Sequence, residues 1–294
     1  MTTATRPRLR FLSSDGRRIG TAATMLLLAP FFALLIFAFL YPLGRLLAVS
    51  VLEPTPTIDN YVRVVGNPVY AKVLLRTLWI SGLVTLLALV LAYPVAYMMT
   101  RVRGVVAAFV TACVLLPFWS SVLARTAAWA VLLQREGVVN TLLQWLGITD
   151  APVRLLYTEG AVVVAMTHVL LPFMILPIYG ALRNIPPDYM RAASVLGAGR
   201  GRAFLEVMLP LSLPGVASGS ILVFLTALGF FVTPSLLGSP QEMMIATLIS
   251  QQIREVLDWP FAAALVGVLT LVVSLIALAF SKAVRFDRLM RAEA

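Results

Sequence analysis

The chain of 294 residues has one cysteine, one histidine and few charges, and each scarcity closes off a class of chemistry. With Cys113 alone, no disulfide and no thiolate metal cluster can form within the chain. With His168 alone, the histidine-rich zinc sites are excluded as well. No Gly-x-x-x-x-Gly-Lys-Ser/Thr sequence occurs, so the chain has no P-loop for a nucleotide, and no cofactor is expected. Charged residues make up 12%, where a soluble domain has roughly 25%. The long apolar stretches carry no carboxylate at all, and ion-coupled carriers usually depend on such groups inside the membrane.

What fills the chain is hydrophobic residues, at 60%. Uncharged runs at residues 19–44, 77–100, 104–124, 160–182, 207–241 and 259–281 each reach the ~20 residues needed to cross ~30 Å of hydrocarbon. The expectation is an all-α integral membrane protein with six transmembrane helices. The first run follows basic residues, as a signal peptide would, but it is too long for an h-region and is kept as a span. Net charge is +10, and its distribution is informative. Arg6, Arg8, Arg10, Arg17 and Arg18, then Arg101 and Arg103, then Arg183, Arg191, Arg200 and Arg202, then Lys282, Arg285, Arg288 and Arg291 all fall on one side of a six-span chain. The positive-inside rule makes that side, with both termini, cytoplasmic. Basicity of this kind serves topology and anionic lipid headgroups rather than nucleic acid.

Along the chain, residues 1–18 form a cytoplasmic tail, 19–70 the first span with an outer loop, 71–283 a core of five further spans, and 284–294 a second tail. Span one carries Pro30 and Pro42 as expected kinks, and span four is expected to be interrupted at Pro172 and Pro177. Span three should break at Pro117, with Trp119, Arg125 and Trp129 beyond the break. An arginine there either snorkels to the outer interface or faces a watery cavity. His168 reads as a hydrogen-bonded packing residue, since a proton relay needs a chain of partners and the span has no other titratable group. Span five ends in Phe231-Val232-Thr233-Pro234, where irregular backbone must be buried in protein or line a cavity. Residues 242–258 have apolar and polar faces and should form a helix at the outer interface.

Between spans four and five lies the longest polar passage on the basic side, residues 186–210. Pro186-Pro187 and Asp188 suit a helix start, and the glycines from Gly197 to Gly201 end it, which predicts a short helix within 187–200. Tyr189, Ala193 and Gly197 share one face, narrowing from an aromatic to bare backbone that another protein could approach closely.

The spacing here is specific. Ala192-Ala193, Gly197 four positions on, and nine residues later Val207-Met208-Leu209-Pro210 resemble the Glu-Ala-Ala-x-x-x-Gly-x(9)-Ile-x-Leu-Pro signature of membrane subunits of bacterial binding-protein-dependent ABC importers. Leu116-Pro117-Phe118-Trp119, Arg125-Thr126-Ala127-Ala128-Trp129 and Phe231-Val232-Thr233-Pro234-Ser235 look like the spermidine/putrescine-type branch. The family's glutamate is Arg191 here, so an ion pair made by that glutamate does not carry over.

The resemblance implies a type I ABC importer permease fold in the bacterial inner membrane. Its implied partners are two ATPase subunits, a second homologous permease subunit and a periplasmic solute-binding protein, with membrane lipid around them. It implies a coupling helix seated on an ATPase through Tyr189, Arg191, Ala192, Ala193 and Gly197, followed by Leu209 and Pro210. Trp119, Arg125, Trp129, Phe231 and Thr233 are then placed near the path of a small polar solute: polyamine-like, amino acid or organic acid. A secondary, ion-coupled transporter is the alternative, disfavoured by the acid-free spans.

Overall fold

The computed structural model describes residues 21–53 and 55–292, with side chains over 24–53 and 55–282. The tail 1–18 lies outside the described residues, as do the side chains of 284–294. Helix α1 covers residues 21–52 with a π turn at Ile36–Leu40. It is followed by α2 (Asp59–Gly66), α3 (Pro68–Arg101), α4 (Gly104–Trp119), α5 (Val122–Leu132) and α6 (Val138–Trp145). Then come α7 (Glu159–Arg183), α8 (Pro187–Val195), α9 (Arg200–Leu228, with a π turn at Phe204–Met208) and α10 (Val232–Leu237). Residues 245–256 form α11, and Trp259–Ala292 forms α12.

Among the described residues, five helices are long and apolar enough to cross a membrane: α1, α3, α7, α9 and α12. The sixth apolar stretch is the pair α4 and α5, bent by 100° at Ser120–Ser121. The break expected at Pro117 therefore falls three residues later, because the proline stays inside α4 and Ser120 closes the helix.

Two proline-containing helices share one local solution. In α1 the Tyr41 N–H reaches the Ile36 carbonyl just before Pro42, and in α9 the Leu209 N–H reaches the Phe204 carbonyl just before Pro210. A proline clashes with the carbonyl four residues back, and widening the preceding turn to a five-residue step moves that carbonyl aside. Helix α7 differs from expectation: it runs unbroken through Pro172 and Pro177. The prolines cost it only the donors to the His168 and Phe173 carbonyls.

The chain divides into two units, residues 1–48 and 49–294. In the first, every described side chain from 24 to 42 is exposed, and the helix is apolar all round, the pattern of a span. In the second, α3, α7 and α9 pack together around buried Val84, Ala88, Ala92, Met166, Met174 and Val223. Small residues set the spacing. A Cβ added at Gly215 of α9 would lie 2.7 Å from the Pro177 carbonyl oxygen and 3.2 Å from Ile178 Cα of α7.

At the end of this bundle away from α8, Val64 of α2, Val73 of α3, Ile245 and Leu248 of α11, and Phe261 and Leu265 of α12 form a second apolar cluster. Phe261 is fully buried. Arg63 bonds Asp258 at 2.9 Å and stacks 4.0 Å over the Phe261 ring. Thr77 Oγ1 accepts from the Ile245 N–H at 2.9 Å, tying α11 to α3. Residues 59–70, grouped by the sequence with the first span, thus pack with the core, because α2 presents Val64 to Phe261 and its neighbours.

Candidate functional site

Two helix breaks are brought together against α7. The α4–α5 bend is capped locally, with the Ser120 N–H at 3.2 Å and its hydroxyl at 2.8 Å from the Pro117 carbonyl oxygen. The second break, at residues 229–231, separates α9 from α10. Thr126 on α5 and Thr233 on α10 meet at 3.0 Å, and both are fully buried. Thr126 also donates to the Val122 carbonyl at 2.9 Å, so its single hydrogen is used and Thr233 supplies the hydrogen between the two hydroxyls.

Arg125 precedes Thr126 and reaches toward α7, its Nη1 3.5 Å from the Val169 carbonyl oxygen. Its Nε is buried with no hydrogen-bond partner among the described residues. One turn on, the Trp129 indole N–H donates to His168 Nδ1 at 3.2 Å, which leaves the neutral ring's proton on Nε2. The sequence places His168 as a hydrogen-bonded packing residue, and this indole contact is its partner in the structure. Trp129, Arg125 and Thr233 are therefore grouped, while Trp119 stands apart, 85% exposed at the end of α4. Phe231 lines a cavity of ≈ 370 Å³ with Ser235, Thr247, Gln251, Arg254 and Glu255, on the side of the break facing α11.

The short helix α8 starts with Pro187 in its first turn and stops through a backbone device. The Gly197 N–H bonds the Ser194 carbonyl at 3.1 Å and the Ala198 N–H bonds the Ala193 carbonyl at 2.9 Å. That pairing is a Schellman motif, and it needs the left-handed conformation that Gly197 adopts, φ +83°. A Cβ at Gly197 would meet nothing within 4 Å among the described residues beyond its chain neighbours, so here the glycine answers to backbone geometry rather than to crowding. Arg191 pairs with Asp188 at 3.0 Å on the exposed surface, an i,i+3 bond worth a few tenths of a kcal/mol.

Ala193, which the sequence assigns to the face a partner would touch, is only 8% exposed and packs inward. The inward turn follows from α8 having to rest on the first turns of α9. Tyr189, Ala192, Val195 and Leu196 face outward, Val195 and Leu196 each at 87% exposure. Leu209 and Pro210 lie half-buried beyond the π turn of α9, away from this outward face. A crevice of ≈ 400 Å³ between α8 and the start of α9 is edged by Tyr189, Leu196, Arg202 and Glu206. The residues that sequence reasoning passes over are Thr126, whose hydroxyl joins the breaks, and Phe204 with Tyr93 and Tyr97, whose contacts span more than a hundred positions.

A bundle with broken helices at its centre and a short helix carried between two spans defines a membrane permease of the ABC importer type. The same fold is seen in the crystal structure of a bacterial ABC transporter involved in import of the acidic polysaccharide alginate, with TM-score 0.71 at 22% identity over 90% of this chain and 95% of that one. The chain belongs to the family of binding-protein-dependent transport system inner membrane components, matched over residues 84–289. It is 35% identical over 229 residues to the Escherichia coli spermidine/putrescine transport system permease protein PotB, covering 78% of this chain and 83% of that protein. The Haemophilus influenzae PotB is 36% identical over 260 residues, covering 86% and 91%. The chain is thus a transmembrane permease of a binding-protein-dependent ABC importer, and ATPase and periplasmic binding-protein partners go with that family.

Proposed function

We propose that this permease forms one half of the path for a polyamine-type solute, beside a second homologous permease chain. Two ATPase subunits engage α8 of each half, and a periplasmic binding protein delivers the solute to the opposite face. The observation that carries the coupling role is the outward face of α8, where Tyr189, Val195 and Leu196 stand exposed on a segment that carries Arg191 and is followed by Arg200 and Arg202. Large apolar side chains on a polar connection mark a surface for another protein. Both termini are assigned to the cytoplasm by the basic residues on the α8 side.

The solute class rests on the spermidine/putrescine relatives. The group formed by Arg125, Trp129, Thr233 and the Thr126 hydroxyl contains no carboxylate, so it would pass a cation without retaining it. Arg125 itself favours a second reading, an organic-acid solute attracted to the guanidinium whose Nε has no partner among the described residues.

The two readings separate in proteoliposomes holding the permeases, the ATPases and the binding protein. For spermidine, ATP-dependent uptake is expected to persist or rise in Arg125→Ala. Loss of uptake by at least tenfold in that variant, together with binding of carboxylic acids and not polyamines by the binding protein, would overturn the polyamine reading.

A further inference from the structure

The α8 end of the bundle contains an aromatic joint that the coupling reading leaves without a task. Phe204, in the π turn at the head of α9, lies edge-on to Tyr93 and Tyr97 of α3, with centroids 5.8 and 5.9 Å away and planes at 89° and 81°. The two tyrosines are one helical turn apart on α3, so the phenyl ring is held between successive teeth of one face. Edge-to-face pairs of this kind are favourable beyond the area they bury.

The joint is fixed at both sides by polar contacts. Tyr93 Oη is 2.9 Å from Ser212 Oγ, and the Ser212 hydroxyl donates to the Leu209 carbonyl at 2.9 Å, so Tyr93 is the donor to Ser212. Arg101 donates to Tyr97 Oη at 3.0 Å and lies 5.0 Å over its ring. The π turn explains the alignment. In an uninterrupted α-helix Phe204 and Ser212 would point roughly 80° apart. One wide turn takes up about one extra residue and brings both onto the face that meets α3.

α8 rests on this same head of α9. Ala193 is turned inward, Ala203 is 2% exposed beside it, and the Gly197 turn leaves only a short connection before Arg200. A displacement of α8 therefore bears on the head of α9, and the ring seated between Tyr93 and Tyr97, beside the Tyr93–Ser212 bond, is the apolar contact that passes it to α3. We propose that Phe204 is the positioning residue that transmits movement of α8 into α3, and through α3 into the bundle. This rests on the reading of α8 as the ATPase contact.

The test uses the assembled importer in proteoliposomes, with radiolabelled spermidine uptake and phosphate release measured together. Phe204→Ala is expected to leave co-purification with the ATPase and ATP hydrolysis near wild type, and to lower solute moved per ATP by about tenfold. Phe204→Tyr, which keeps the ring, is expected to restore the ratio, and Phe204→Leu, which keeps bulk without the ring edges, to fall between. An unchanged ratio in Phe204→Ala would overturn the proposal. So would parallel loss of assembly, hydrolysis and uptake in both the Ala and Leu variants, since that is the pattern of a merely structural residue. Absence of ATP-driven uptake in the wild-type assembly would instead count against the functional reading on which this one rests.

Discussion

Replacing Gly197 separates two explanations of the same glycine. If its role is to let a partner's surface come close, any side chain harms in proportion to its size, so Asn should be worse than Ala. The structure supports a backbone role: φ is +83°, no atom of the described residues beyond its chain neighbours lies within 4 Å of a built Cβ, and two capping hydrogen bonds depend on the left-handed turn. An L-residue in that region costs about 1–2 kcal/mol. Because α8 is exposed and short, the cost falls on its last turn rather than on the whole fold, opening that turn roughly 5–30-fold more often. Asn adopts the left-handed region more readily than other non-glycine residues, and β-branched residues do so least. The expected order for both protection of the Ala198 amide and ATP-coupled uptake is therefore Gly, then Asn, then Ala, then Val. Hydrogen exchange on the reconstituted permease gives the first quantity and proteoliposome uptake the second. Finding Asn below Ala in both would refute the backbone account and restore the steric one.

Two further substitutions probe the bundle. Gly215→Ala drives a methyl to within 2.7 Å of the Pro177 carbonyl oxygen, which α7 cannot move, and should destabilise the chain by about 1–3 kcal/mol, read as a lowered unfolding temperature in detergent. Thr233→Val removes the donor to Thr126 and leaves a buried hydroxyl acceptor; a loss of about 1 kcal/mol is expected. In Thr126→Val/Thr233→Val the combined loss should be smaller than the sum of the two singles, which a double-mutant cycle in the same assay measures.

How much of this was legible depends on whether the determinant is local. The uncharged runs predict the spans because burying a charge in hydrocarbon is costly wherever the run occurs, and Pro187 and Gly197 mark the ends of α8 by φ preference alone. The position of the α4–α5 bend was not legible to the residue. Pro117 removes the donor to the Cys113 carbonyl without ending the helix, and the chain turns where Ser120 can satisfy the Pro117 carbonyl left at the helix end. Pro172 and Pro177 do not interrupt α7 for a related reason, since the breaking tendency of a proline yields when close packing on neighbouring helices keeps the backbone helical. Ala193 was assigned to the partner face by its helical spacing, yet spacing defines a stripe without saying which side of the helix its own chain covers. The solute-path residues divided similarly: Arg125, Trp129 and Thr233 converge on α7, whereas nothing in the local sequence shows Trp119 standing apart. Phe204 left no local trace, because its partners Tyr93 and Tyr97 lie on another helix.

The bend at Ser120–Ser121 also restricts what can surround it. A helix that stops leaves its last carbonyls, and one that starts leaves its first N–H groups, without partners along the chain. Lipid tails offer nothing to bind these groups, so irregular backbone at membrane depth does not face hydrocarbon. Where the bend lies at membrane depth, the groups that the Ser120 cap leaves over need water or another polypeptide around them, even though Phe118 and Trp119 beside it would suit oil. In the assembled importer, that makes the turn a marker of where the lipid boundary ends.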